Sequence, residues 1–124
     1  MPKQAEHAEQ KALIKWCKMH PVAKRIFAIP NGGARHIAVA AKMKAEGVRP
    51  GVPDLFLPVP RGRFCGLFIE MKAKGGRVAR GQSEELEQLS ADGYMAVVCW
   101  GWDSARETIE NYLNFGVDSE EPTM

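Results

Sequence analysis

Two charged residues stand one position apart in a run that otherwise reads as strand, Ile69-Glu70-Met71-Lys72, followed by Ala73-Lys74-Gly75-Gly76. Side chains alternate along a strand, so Glu70 and Lys72 project from one face and Ile69 and Met71 from the other. A solvated, salt-bridged face would explain the pair. A site for a divalent cation would explain it too, and the choice turns on what lies opposite. The apolar run 54–59 precedes it, with Pro60-Arg61-Gly62-Arg63 between, which is the pattern of a hairpin. Opposed residue numbers in an antiparallel pair sum to a constant. With the turn centred on Gly62 the sum is 124, and Asp54 falls opposite Glu70, with Cβ atoms ~5 Å apart on a shared face. A turn offset by one residue, without a bulge, would send Asp54 to the other face.

Two opposed carboxylates repel unless something neutralises them. With the backbone carbonyl of Met71 they make a hard oxygen donor set suited to Mg2+ or Mn2+. Such an ion polarises a phosphoryl oxygen and lowers the pKa of a bound water. Lys72 is placed to hold or deprotonate that water and to stabilise developing negative charge. Two helices add candidates. In 4–19, the apolar stripe of Leu13, Trp16, Cys17 and His20 continues backwards onto Glu6, Glu9 and Gln10. An acid at the end of a buried stripe needs a partner. In 82–93, Gln82 begins the face that continues with Leu86 and Leu89. For each of these an exposed first turn is the competing reading.

The elements that must position these residues follow from periodicity and punctuation. The helix over 4–19 stops at Pro21. Residues 25–29 read as a short buried strand, Pro30-Asn31-Gly32-Gly33 as a turn, and 35–46 as an alanine-rich helix ending at Gly47. Strands follow over 54–59 and 64–71, then a polar loop over 73–81. The helix over 82–93 leads to a strand over 94–100 and an amphipathic helix over 103–115 with Asp103 or Ser104 as its N-cap. The order α-β-α-β-β-α-β-α puts the strands in one mixed sheet flanked by helices. Residues 1–115 form one domain, and 116–124 read as an acidic, frayed tail.

Composition narrows the class. The 124 residues are 45% hydrophobic and 26% charged, ordinary for a soluble domain. No apolar run is long enough for a membrane span, and the polar N-terminus lacks a secretory signal. Cys17, Cys65 and Cys99 are an odd number, without a CxxC. They read as packed thiols and fit a reducing cytosol, that of a bacterium or of a phage-infected cell, rather than a disulfide framework. The net charge of +2 hides an asymmetry: residues 1–80 carry +11 and residues 81–124 carry −9. Basic density peaks at 61–80, where Arg61, Arg63, Lys72, Lys74, Arg77 and Arg80 face Glu70 alone. That is a phosphate-binding surface or a solvated face balanced by the acidic helices. Neither Gly-rich stretch has P-loop or GxGxxG spacing.

The ordered set Gly51-Val52-Pro53-Asp54, Ile69-Glu70-Met71-Lys72 and Gln82 resembles the PD-(D/E)XK nuclease motif. The wider chain resembles its VRR-NUC branch, the virus-type replication-repair nucleases, through segments 29–33, 44–60, 66–72, 93–102 and 107–113. The resemblance implies a restriction-endonuclease-like αβββαβ core with one extra helix between the first and second strands. It implies hydrolysis of DNA phosphodiesters with Mg2+ or Mn2+. Asp54 and Glu70 would hold the metal with the Met71 carbonyl, Lys72 would position the water, and Gln82 would complete the catalytic set. The first-helix acid would be Glu6, with Gln10 one turn later, or alternatively Glu9. Stand-alone members resemble homodimeric Holliday junction resolvases. This chain is expected to act likewise on branched DNA, with Arg61, Arg63, Lys74, Arg77 and Arg80 gripping phosphates by shape rather than sequence. Trp100, Trp102, Met43 and Phe64 are candidates for the dimer interface, with plain core or surface as the stronger reading for each. A flap-type nuclease of the same chemistry and a non-catalytic binding module on a nuclease fold are the competing readings.

Overall fold

The hairpin sets the register of everything else. In the computed structural model, which describes residues 2–31 and 36–115, strand β2 (Leu55–Leu57) pairs antiparallel with β3 (Leu67–Lys72) as Leu55↔Ile69, Phe56↔Phe68 and Leu57↔Leu67. Each pair sums to the expected value. The odd-numbered residues Leu55, Leu57, Leu67, Ile69 and Met71 point into the core and are buried. Each full burial is worth about 1.5–3 kcal/mol. A one-residue slip would expose all five and cost about as much as the roughly 5–15 kcal/mol that holds a domain folded.

The turn itself is offset. Arg61 and Phe64 exchange both backbone hydrogen bonds around Gly62, a pairing one residue out of step with the strands. Three residues on one side, Pro58-Val59-Pro60, face two on the other, so a bulge restores the register. Two prolines, which have no N–H for the ladder, make that segment unfit for regular pairing. The bulge is tied down by Tyr112, whose hydroxyl donates to the Val59 carbonyl at 2.7 Å. Gly62 has φ +56°, and a Cβ there would meet the Phe115 ring at 2.5 Å, so the turn requires glycine.

The other elements complete a four-stranded sheet in the order β1-β2-β3-β4. Helix α1 (Pro2–Cys17) leads through a 3-10 turn at Ala23–Arg25 into β1 (Phe27–Ala28). The strand expected at 25–29 is therefore shorter, and it lies at the sheet edge with both residues exposed rather than buried. Helix α2 (Ile37–Ala45) precedes β2. Helix α3 (Arg80–Ala91) follows β3, and β4 (Met95–Trp100) runs parallel to β3 before α4 (Trp102–Asn114). This is the mixed α/β sheet expected, with the extra helix between the first two strands. Helices α1 and α4 cover the odd-numbered face through Leu13, Cys17, Ala105, Ile109 and Tyr112.

Two expectations are corrected. Helix α4 is not capped by Asp103 or Ser104. The residue before it is Gly101, and the Glu9 carboxylate from α1 accepts the Trp102 N–H at 2.8 Å instead. Cys17 and Cys99 are buried, but Cys65 is exposed. No described helix is long and apolar enough to cross a membrane. The acidic tail and most of the turn after Asn31 lie outside the described residues.

Candidate active site

The even-numbered face of the hairpin carries the charged residues. Glu70 and Lys72, at 2% and 7% exposure, are the only buried charged residues in the described core. The Lys72 ammonium lies 3.6 Å from Glu70 Oε2. Gln82, in the first turn of α3, donates its amide to the same oxygen at 2.9 Å while its own Oε1 accepts the Ala79 N–H at 2.9 Å. That second bond fixes which end of the Gln82 amide faces Glu70.

Asp54 sits just before β2 in the register that places it against Glu70. Its Oδ2 accepts the Met71 N–H at 2.7 Å, and its Oδ1 accepts from the Asn31 side chain at 3.1 Å. Continued two residues, the same register sets Met71 opposite Pro53, which has no N–H to offer the Met71 carbonyl. The sheet ladder thus ends where the carboxylates begin. The loop carrying Asp54 is clamped to α3: Arg49 makes a forked pair with Glu85 at 2.8 and 3.1 Å. Gly51, at φ +91°, lies so close to Gly81 that an added Cβ would stand 3.3 Å from its carbonyl oxygen.

Electrostatics mark this pair of acids as unsettled. Burial, then the Asp54 charge, pushes the Glu70 carboxyl up to about 8, and Glu6 adds to the rise while Lys72 opposes it. Burial also raises Asp54, against the Met71 N–H and the Lys72 charge. Among the described residues Glu70 Oε1 is buried without a hydrogen-bond partner. A buried, unpaired carboxylate oxygen beside a second acid is what a cation would satisfy. Among the described residues no three His, Cys, Asp or Glu side chains converge closely enough to hold an ion by themselves. Two carboxylates and the Met71 carbonyl are the protein donors that could hold an ion there, one that would complete its shell with water and substrate phosphate.

The expected residues separate into groups. Asp54, Glu70, Lys72, Gln82 and the Met71 backbone converge. Glu6 lies near enough for its charge to act on Glu70, whereas Glu9 is committed to α4. Lys74, Arg77 and Arg80 are exposed on the loop and helix start that follow the site, with Arg80 paired to Glu84. Arg61 and Arg63 do not join them. They sit at the hairpin tip, on the order of 20 Å along β3 from Glu70. There Arg61 Nε donates to the Leu113 carbonyl at 3.0 Å, and Arg63 lies over the Phe64 ring. Sequence reading missed Asn31, taken only as turn chemistry, and the Arg49–Glu85 clamp, which no short-range pattern announces.

A hairpin bearing Asp54 just before one strand and Glu70-Met71-Lys72 on the other, in a mixed sheet between helices, defines the PD-(D/E)XK class of nuclease folds. Within it the chain belongs to the VRR-NUC family: the VRR-NUC domain matches residues 4–103. A solved structure described as a VRR_NUC domain protein is similar at 33% identity and a TM-score of 0.76, covering 89% of this chain and 88% of the other. No curated protein shows significant similarity. The family implies a nuclease-type function, with DNA as the partner.

Proposed function

We propose that the chain is a metal-dependent, structure-specific DNA endonuclease that acts as a homodimer on four-way junctions. The observation that carries the catalytic part is the unpartnered Glu70 Oε1 buried beside Asp54. Asp54, Glu70 and the Met71 carbonyl would hold the cation, and Glu6 adds negative potential. When bound, Mg2+ or Mn2+ supplies Lewis acidity toward a phosphoryl oxygen and eases deprotonation of water. Gln82 holds the Glu70 carboxylate in one orientation. Lys72, with its ammonium at that carboxylate, holds the attacking water and offsets charge that grows on the phosphate. Lys74 and Arg77 bind flanking phosphates without reading bases.

Two apolar surfaces left at least partly open among the described residues support the dimer. Helix α2 buries no residue and leaves Ile37 84% and Val39 48% exposed. On the even-numbered sheet face, Phe56 stacks on Phe68 at 4.2 Å, with Phe27 set edge-on and half-exposed. A two-fold pair of chains would present two equivalent sites, which symmetric cutting of a junction requires. The test is a cleavage panel of four-way junction, 5′ flap, 3′ flap, single strand and duplex, with Mg2+, Mn2+ or EDTA. Paired cuts on the junction, lost in EDTA, are expected. Cuts confined to flaps would remove the resolvase reading, and no cleavage of any DNA would remove the nuclease.

A further inference from the structure

The dipeptide-spaced tryptophans of β4 and α4 meet opposite fates. Trp102 packs against the core, with Arg106 over its ring. Trp100 is 47% exposed. Its register partner on β3 is Lys72, and neighbours across a parallel ladder share a face. The indole therefore stands one strand, about 5 Å, from Lys72 on the face that carries Glu70. Strand β4 is at the sheet edge, and no further described strand flanks it. Among the described residues no aromatic ring or guanidinium lies on it.

An indole usually goes to the interior with its N–H satisfied. Here the N–H is satisfied without burial, because Nε1 donates to the Gly76 carbonyl at 2.8 Å. That bond holds the ring in one orientation and anchors the loop after β3. The same loop carries Lys74 and Arg77, both exposed. The result is a fixed aromatic face, flanked by cations, beside the carboxylates. Rings that accept a base in the company of phosphate-binding cations are how proteins take hold of single strands.

We propose that Trp100 is a stacking platform for an unpaired base adjacent to the scissile phosphate, and that it makes the site prefer DNA with unpaired nucleotides over continuous duplex. The nuclease reading enters only in placing the scissile phosphate at Glu70 and Lys72.

The test is binding in EDTA, where cleavage plays no part. Anisotropy is read on a labelled oligothymidine and on a blunt duplex of matched length, for the full chain and for Trp100→Ala and Trp100→Phe. Trp100→Ala is expected to weaken oligothymidine binding about 5- to 150-fold, the range of one base–aromatic stack, and duplex binding about twofold or less. Trp100→Phe, which keeps a ring but loses the bond to Gly76, should recover most of the affinity. Equal losses on both DNAs would overturn the proposal. So would a Phe variant as weak as the Ala variant, which would make Trp100 a loop anchor only. A chain that stacks in this assay but cleaves nothing in the panel would sink the nuclease reading and leave the stacking platform standing.

Discussion

Replacing Glu70 by glutamine should stabilise the metal-free protein at alkaline pH while abolishing its chemistry. The Glu70 carboxyl titrates near 4.5 when free and is pushed up to about 8 in the fold. A group whose folded value is raised contributes stability that is fully present below the unfolded value and lost as pH rises through the folded one. The penalty therefore grows between pH 4.5 and about 8. At 1.36 kcal/mol per pH unit it reaches ~5 kcal/mol at most. Relaxation and water entering an ionised site bring it to about 2–4 kcal/mol, as the moderate effective dielectric of buried sites does generally. Glutamine mimics the protonated acid. Its oxygen can still accept from Gln82, its amide can donate toward Asp54, and Asp54 still offsets the Lys72 charge. For a chain of this size about 3–5 °C accompanies each kcal/mol. Melting followed by circular dichroism in EDTA should show Glu70→Gln roughly 10 °C above wild type at pH 9 and level with it at pH 5. Millimolar Mg2+ should then raise the wild type at pH 9 by preferential binding to the fold, and raise the variant little. A difference independent of pH, or a variant less stable at pH 9, would refute the electrostatic reading. Equal stabilisation of both proteins by Mg2+ would refute the metal site.

Three further outcomes are expected. Lys72→Met should remove detectable cleavage while leaving junction binding within about threefold, checked by mobility shift beside the cleavage assay, because one phosphate contact among several is all that binding loses. Glu9→Ala should cost about 0.5–2 kcal/mol in urea denaturation through the lost cap on α4 and keep activity, whereas Glu6→Gln should weaken Mg2+ or Mn2+ dependence with little effect on stability; the reverse pattern would exchange their roles. Gly66→Ala should destabilise by about 1–3 kcal/mol, since the new Cβ would stand 2.7 Å from the Phe56 ring and 3.2 Å from the Leu57 carbonyl oxygen; an unchanged urea midpoint would show that the Phe56–Phe68 stack yields freely.

The hairpin was readable because its alternation is enforced by burial. Five apolar odd-numbered residues can satisfy the core in one register only, and that register brings Asp54 to Glu70. The route to it was not readable. Reading a symmetric turn about Gly62 reached the correct sum although the turn is offset, because the Pro58–Pro60 bulge cancels the offset. Local patterns also failed where a distant residue took over a local task. Ser104 and Asp103 look like caps for α4, yet the cap comes from Glu9, far away in sequence. Arg61 and Arg63, expected at the hairpin tip, are there, with β3 between them and Arg77 and Arg80; what local pattern could not show is that Arg61 is tied to the Leu113 carbonyl.

What strand alternation could not say is that the charged face would be covered. Glu70 and Lys72 on an open face would be an ordinary exposed ion pair, worth about 1 kcal/mol or less. The cover is assembled by three contacts between residues distant in sequence: Gln82 on Glu70, Arg49 on Glu85, and Trp100 on Gly76. Together they hold α3, the loop before β2 and the loop after β3 around the acids. Enclosure raises the carboxyl pKa values and leaves Glu70 Oε1 without a partner. The fold thus bears a local cost at the end of β3, where the ladder stops at Pro53. A cation bound there would relieve both defects at once, so affinity for the ion and instability without it share one physical origin. Any substitution that opens the cover, Glu85→Ala among them, should therefore lower metal affinity and the alkaline destabilisation of the metal-free protein together, since water admitted to the site solvates the acids in the ion's place.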